Sequence, residues 1–140
     1  MKVLITGYSG FLGSYLCENL SKNFQIIKVN LREIPEENSS SFNTFLDRFL
    51  VADVIINCAA NLKPKTKKDI FINENFPKNL LDYLKKKEKK PFFIHISSIN
   101  VLVSDRKDYY TITKKNAEIN LKSQNIVIIR LPLVYDKINN

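Results

Sequence analysis

Two groups of residues in this 140-residue chain have types and spacings that could do chemistry. The first is Tyr110-Thr111-Ile112-Thr113-Lys114. On a helix, positions i and i+4 share a face, so Tyr110 and Lys114 can point together into one cleft. A free phenol ionises near pH ~10 and is a poor acid or base at neutrality. An ammonium beside it favours the phenolate and is expected to draw that pKa down toward the working range. The second group is Val3–Gly13, V-L-I-T-G-Y-S-G-F-L-G, which holds all three glycines of the chain: Gly7, Gly10 and Gly13. Gly7 lets the backbone leave a strand in a conformation that a side chain opposes. Gly10 lets a pyrophosphate approach the main chain, and Gly13 lets the following helix pack closely. The free N–H groups and positive dipole end of that helix, with Tyr8, Ser9, Phe11 and Leu12 in the turn, then face phosphate.

These groups need elements to carry them. Lys2–Thr6 is a short apolar and β-branched run and reads as a buried strand. Leu12, Leu16 and Leu20 then recur every four residues, as on one face of a helix. Gln25–Leu31 reads as a second strand. Phe42, Phe45, Leu46 and Phe49 make a short amphipathic helix, and Asp53–Ala60 is another buried strand. Lys68–Lys87 reads as a helix kinked at Pro77, which lacks a backbone donor. Phe92–Ile96 is a strand with Ser97-Ser98 at its end, and His95, the sole histidine, reads as a sheet residue. Ile126–Leu131 is the last strand. No strand can be found between Leu31 and Val54. The expected fold is therefore α/β, a doubly wound, Rossmann-like parallel sheet of about five strands in the order 2-1-4-5-6, with the third position lost and residues 1–140 forming a single domain.

An apolar content of 44% and a charged content of 26% are those of a globular protein. No run approaches the ~18 apolar residues of a membrane span. The first strand begins at Lys2, which leaves no room for a signal peptide. Cys17 and Cys58 fall in apolar patterns and read as reduced core thiols, so a cytoplasmic protein without a metal site is expected. The net charge of +8 is concentrated at Lys63–Lys68 and Lys85–Lys90. Neither run is interleaved with aromatic residues, so stacking platforms for bases are missing. The charge reads as solvated surface, with a nucleic-acid or other polyanion site as the alternative.

The spacing T-G-x-x-G-x-x-G resembles the short-chain dehydrogenase/reductase superfamily, in particular its extended branch acting on nucleotide sugars (the NAD-dependent epimerase/dehydratase family). Further strings carry the likeness. Asn57-Cys58-Ala59-Ala60 resembles the family's N-x-A-A, and N-E-N-F-P-K-N-L-L resembles N-x-x-G-x-x-N-L-L, with Asn73 as the asparagine and Phe76 in place of glycine. Ser97-Ser98 and the residues after them resemble S-[ST]-x-x-V-[YF], and Tyr110–Lys114 matches Y-x-x-x-K. Arg130-Leu131-Pro132-Leu133-Val134-Tyr135 resembles R-x-x-x-V-Y-G, with Asp136 at the glycine. The N-x-x-x-P-[RK]-N-L and H-x-S-[ST] strings lean toward the dTDP-4-dehydrorhamnose reductases.

The resemblance implies an NAD(P)-dependent enzyme whose catalytic residues are Ser98, Tyr110 and Lys114. Ser98 would hold the substrate oxygen and Tyr110 would move a proton, while Lys114 would also hold the nicotinamide ribose. The dinucleotide would lie over Gly7–Gly13, with Asn57, Ala59, Ala60, Asn73, Leu131 and Pro132 beside it. At the end of the second strand the carboxylate that binds a ribose 2′-hydroxyl in NAD sites is replaced by Asn30, with Arg32 two residues on, which favours NADP over NAD. Tyr110 follows Ser98 by only 12 positions, and no region is assignable to a sugar nucleotide. The expected protein is thus a shortened nucleotide-sugar reductase or epimerase that self-associates as a homo-oligomer. The alternatives are a dinucleotide sensor without turnover and, on charge alone, a nucleic-acid partner.

Overall fold

The protein is described from a computed structural model, over residues 1–122 and 124–132. Five strands form one parallel sheet: β1 Lys2–Thr6, β2 Gln25–Val29, β3 Val54–Asn57, β4 Phe92–Ser98 and β5 Val127–Leu131. Their order is β2-β1-β3-β4-β5. This is the expected order with the vacant position closed up, because Val54–Asn57 pairs directly with β1. The connections are helical: α1 Phe11–Leu20, α2 Ser40–Asp47, α3 Lys67–Glu74, α4 Phe76–Lys86 and α5 Tyr109–Leu121.

The two faces of the sheet are covered unequally. Leu4, Val29, Ile55 and Phe93 face one way and meet Phe42, Phe45 and Leu46 of α2, Phe49, Ile72 of α3, and Phe76, Leu80 and Leu84 of α4. Five phenylalanines, Phe42, Phe45, Phe49, Phe71 and Phe76, interlock there, with the Phe49 and Phe76 rings 5.8 Å apart. On the other face Val3, Ile5 and Ile56 pack with Cys17, Leu16 and Leu20 of α1. Strand register puts Phe92, Ile94, Ile96, Val127 and Ile129 on this second face. Phe92 is 56% exposed, Val127 37% and Ile129 39%.

The long helix expected over Lys68–Lys87 is broken rather than kinked. Asn75 serves at once as the C-cap of α3 and the N-cap of α4, and Pro77 lies in the first turn of α4, where a missing N–H costs little. Thr66 and Asp69 form a capping box that starts α3. The amphipathic helix of residues 42–49 ends at Asp47, so Phe49 reaches the core from the turn that follows it. Both cysteines are free thiols. Among the described residues no helix is long and apolar enough to cross a membrane, and no cluster of His, Cys, Asp or Glu could hold a metal ion. Val134, Tyr135 and Asp136 lie outside the described residues.

Candidate active site

All parallel strands deliver their carboxyl ends to one edge of the sheet, and the chemistry-bearing residues collect there. Gly7 leaves β1 at φ +67°, in the left-handed region. A Cβ at this position would stand 2.7 Å from the Ala59 amide nitrogen, so the turn is pressed directly onto the segment that follows β3. Gly13 is constrained by space alone, since a Cβ there would overlap the Gly7 carbonyl oxygen and fall 2.7 Å from its carbon. Gly10 is the N-cap of α1, with no side-chain cap and no acidic residue in the first turn. The N–H groups and positive end of α1 are therefore uncompensated, and a Cβ on Gly10 would meet only Gly7 O, at 3.3 Å. A phosphate-bearing group fits this cradle.

One cleft of about 510 Å³ joins Gly7, Tyr8, Ser9 and Gly10 to Asn30 and Arg32 after β2 and to Ala59 and Ala60 after β3. Asn30 Oδ1 accepts the Arg32 amide at 3.0 Å, which shapes the short turn after β2. Arg32 is exposed, and among the described residues its guanidinium makes no ion pair. Lys68 Nζ donates to the Arg32 carbonyl at 2.7 Å and ties α3 to that turn. Phe11 is exposed and Leu12 half-buried on α1, outside the cleft lining, while Gly13 is buried against the turn.

Asn57 and Asn73 are both fully buried with their carboxamides committed inside the protein. Asn57 Oδ1 accepts from Thr6 Oγ1 at 2.6 Å, and its Nδ2 lies 3.1 Å from His95 Nδ1. Asn73 Oδ1 accepts the Asn61 amide at 2.7 Å, and Asn73 Nδ2 donates to Asn61 O at 2.8 Å and to Thr113 Oγ1 at 3.1 Å. Asn73 thus holds the segment after β3 against α5. Sequence reasoning missed Asn61, which also binds Asp69 and the Lys63 amide. The only sign of it was a polar residue directly after Ala59-Ala60. Backbone amides of Lys65 and Thr66, then Asn61, hold the Asp69 carboxyl down at about 2.

Ser98, Tyr110 and Lys114 form a second group at the ends of β4 and α5, beside the cleft rather than lining it. Ser98 is buried, and its Oγ accepts the Asn100 amide at 3.2 Å, which leaves the hydroxyl proton free. Asp108 caps α5 by accepting the Thr111 amide at 2.9 Å. Tyr110 then stands half-buried in the first turn. Lys114 is buried; its Nζ lies 6.0 Å from the centre of the Tyr110 ring and donates to Ile96 O at 2.8 Å. Burial pushes the Lys114 ammonium down to about 8, with Cys58 and Glu118 opposing that shift.

The expected lowering of the Tyr110 pKa is not found. Burial first, and the Asp108 carboxylate second, raise it. The ammonium lies over the ring and is bonded to a carbonyl, so its charge does little for the phenolate. Leu131 pairs with Ser98 at the sheet edge and is half-buried, and Pro132 beyond it is exposed. His95 is a buried sheet residue, as its position in an apolar strand implies.

Comparison with known proteins follows the same lines. A dTDP-4-dehydrorhamnose reductase from Clostridium acetobutylicum superposes with a TM-score of 0.76 at 27% identity, over 100% of this chain and 56% of its own. A UDP-glucuronic acid 4-epimerase from Bacillus cereus, solved with NAD, gives 0.66 at 28% identity, over 96% of this chain and 57% of its own. A dTDP-4-dehydrorhamnose reductase from Bacillus anthracis, solved with NADP, shares the fold with a TM-score of 0.75 at 21% identity, over 99% of this chain and 56% of its own. The chain thus spans little more than half the length of these proteins. No curated protein sequence matches it. The sequence profile of the NAD dependent epimerase/dehydratase family matches residues 3–120, and with the glycine cradle, the parallel order and the ends of β4 and α5 in place, the chain belongs to that family.

Proposed function

We propose that residues 1–140 form one dinucleotide-binding unit of a nucleotide-sugar oxidoreductase, and that its chemistry is reduction of a keto-sugar nucleotide. The observation that carries this reading is the juxtaposition, at one edge of the sheet, of an uncompensated glycine cradle with Tyr110 stacked under the Lys114 ammonium. The cradle takes the pyrophosphate, Asn30 and Arg32 face the adenosine ribose, and Arg32 favours the 2′-phosphate of NADP over NAD. A bound nicotinamide supplies the hydride. Ser98 donates its free hydroxyl proton to the substrate oxygen and orients it. Tyr110 hands a proton to that oxygen as the carbonyl becomes an alcohol. At neutral pH the phenol holds the proton that the reductive direction needs, and its raised pKa makes it a weaker acid than an ordinary tyrosine. Lys114 supplies positive charge at the ribose. The free thiols fit a cytoplasmic setting.

A second reading, a dinucleotide sensor without turnover, is favoured by one observation: Lys114 Nζ is bonded to Ile96 O rather than placed beside the phenol oxygen. Calorimetric titration with NADPH and NADH, followed by turnover of a panel of 4-keto-sugar nucleotides, separates the two. Tight NADPH binding is expected, together with turnover that drops by about 10²–10⁴-fold in Tyr110→Phe at unchanged dinucleotide affinity. Binding with no turnover by either protein would leave the sensor. Absence of binding at millimolar dinucleotide would end both readings.

A further inference from the structure

A row of hydrogen bonds runs across the three central strands beneath the cleft. Thr6, Asn57 and His95 stand side by side in register on β1, β3 and β4, and all three are fully buried. The chemistry of each group sets the direction of the row. Thr6 Oγ1 accepts the Ala59 amide at 3.3 Å and gives its single proton to Asn57 Oδ1 at 2.6 Å. The Nδ2 of Asn57 can only donate, so His95 Nδ1, 3.1 Å away, must be the acceptor. His95 is therefore neutral with its proton on Nε2, and that N–H has no partner. Burial, then the Lys114 charge, push its pKa down to about 3, which keeps Nδ1 free to accept.

The row ends on the Ala59 amide, the group that lies against Gly7. We propose that His95 is a positioning residue for the dinucleotide cleft, acting through Asn57 and Thr6 to fix the Ala59 backbone against the glycine turn. An acceptor at Nδ1 admits only one orientation of the Asn57 carboxamide. That orientation puts Oδ1 toward Thr6 and turns the Thr6 lone pair to Ala59. A leucine in the same place would fill the core without leaving an unpartnered buried N–H, and would leave Asn57 unoriented. Packing alone gives no reason for the imidazole; the row does. This inference rests on the cleft being a dinucleotide site, but the geometry of the row can be tested apart from that.

The experiment compares the wild-type chain with His95→Leu, which removes the acceptor, and with His95→Asn, whose Oδ1 can replace Nδ1. Nitrogen-15 spectra of the wild type are expected to show a neutral, Nε2-protonated imidazole. Amide exchange at Ala59 is expected to speed up about tenfold in His95→Leu, the worth of about one hydrogen bond, and to return toward wild type in His95→Asn. The NADPH dissociation constant should follow the same pattern, weaker about tenfold in Leu and restored in Asn, while the thermal midpoint does not track it. An Nδ1-protonated imidazole, unchanged Ala59 exchange in Leu, or equal loss in Leu and Asn would each overturn the proposal. If the wild type binds no dinucleotide, the cleft assignment falls and the exchange and tautomer results alone judge the row. If His95→Leu does not fold, the wild-type tautomer together with Ala59 exchange in His95→Asn decides.

Discussion

Gly7 combines two constraints that are separately tolerable. Its φ of +67° alone would cost a substituted residue about 1 kcal/mol, and the 2.7 Å approach to the Ala59 amide adds a backbone clash that no side-chain motion can relieve. Gly7→Ala is expected to destabilise the chain by about 2–4 kcal/mol in urea unfolding, and to abolish dinucleotide binding at temperatures where it remains folded. Gly10→Ala, whose Cβ would meet only the Gly7 carbonyl oxygen, at 3.3 Å, should cost less stability. His95 sets a second expectation. Its pKa falls from 6.5 to about 3 on folding, so below pH 6.5 the unfolded chain takes up a proton that the folded chain refuses. Stability therefore rises with pH in that range, and is lost on acidification at about 1.4 kcal/mol per pH unit. Asp69 and Asp108, both held at about 2, add their losses only below 3.8. Urea midpoints at pH 5 and pH 6.5 check the slope, which His95→Asn should flatten.

Among the elements, α3 and α5 bear most on the site because Asn73 bridges the segment after β3 to Thr113. Asn73→Ala would strand the amide and carbonyl of Asn61, while the Thr113 hydroxyl keeps its bond to the Tyr110 carbonyl, and is expected to cost about 2–4 kcal/mol. Denaturant midpoints measure it, and cofactor affinity should fall in parallel. The strands, the glycine turn and the starts of α1 and α5 were legible in the sequence because period, glycine placement and β-branched runs are local signals. The lost strand between Leu31 and Val54 was legible for the same reason. What could not be read was who bonds to whom. Nothing in the residues next to Asn73 reveals Asn61 and Thr113 as its partners. Nothing local to Pro77 indicates that Asn75 caps two helices and breaks the pattern there. The Tyr110 pKa depended on where the Lys114 ammonium points, which i,i+4 spacing leaves open.

At the scale of the whole molecule the sheet is lopsided: among the described residues, α1 is the one helix packed on the face that carries Val127 and Ile129. All-parallel sheets are stable with both faces covered, so a second copy of the chain is expected to shield the apolar strip along β4 and β5. Sedimentation at micromolar concentration should report a dimer, and Ile129→Lys should shift it to monomer and lower the unfolding midpoint. A monomeric wild type would rule that out. The uncapped start of α1 has a practical consequence. Its N–H groups do not distinguish a pyrophosphate from inorganic oxyanions, so sulfate and phosphate in a buffer compete for the same cradle. Dissociation constants measured in phosphate would come out weaker than those in an amine buffer of equal ionic strength, and the slope of log Kd against log phosphate concentration would count the anions displaced when a dinucleotide binds.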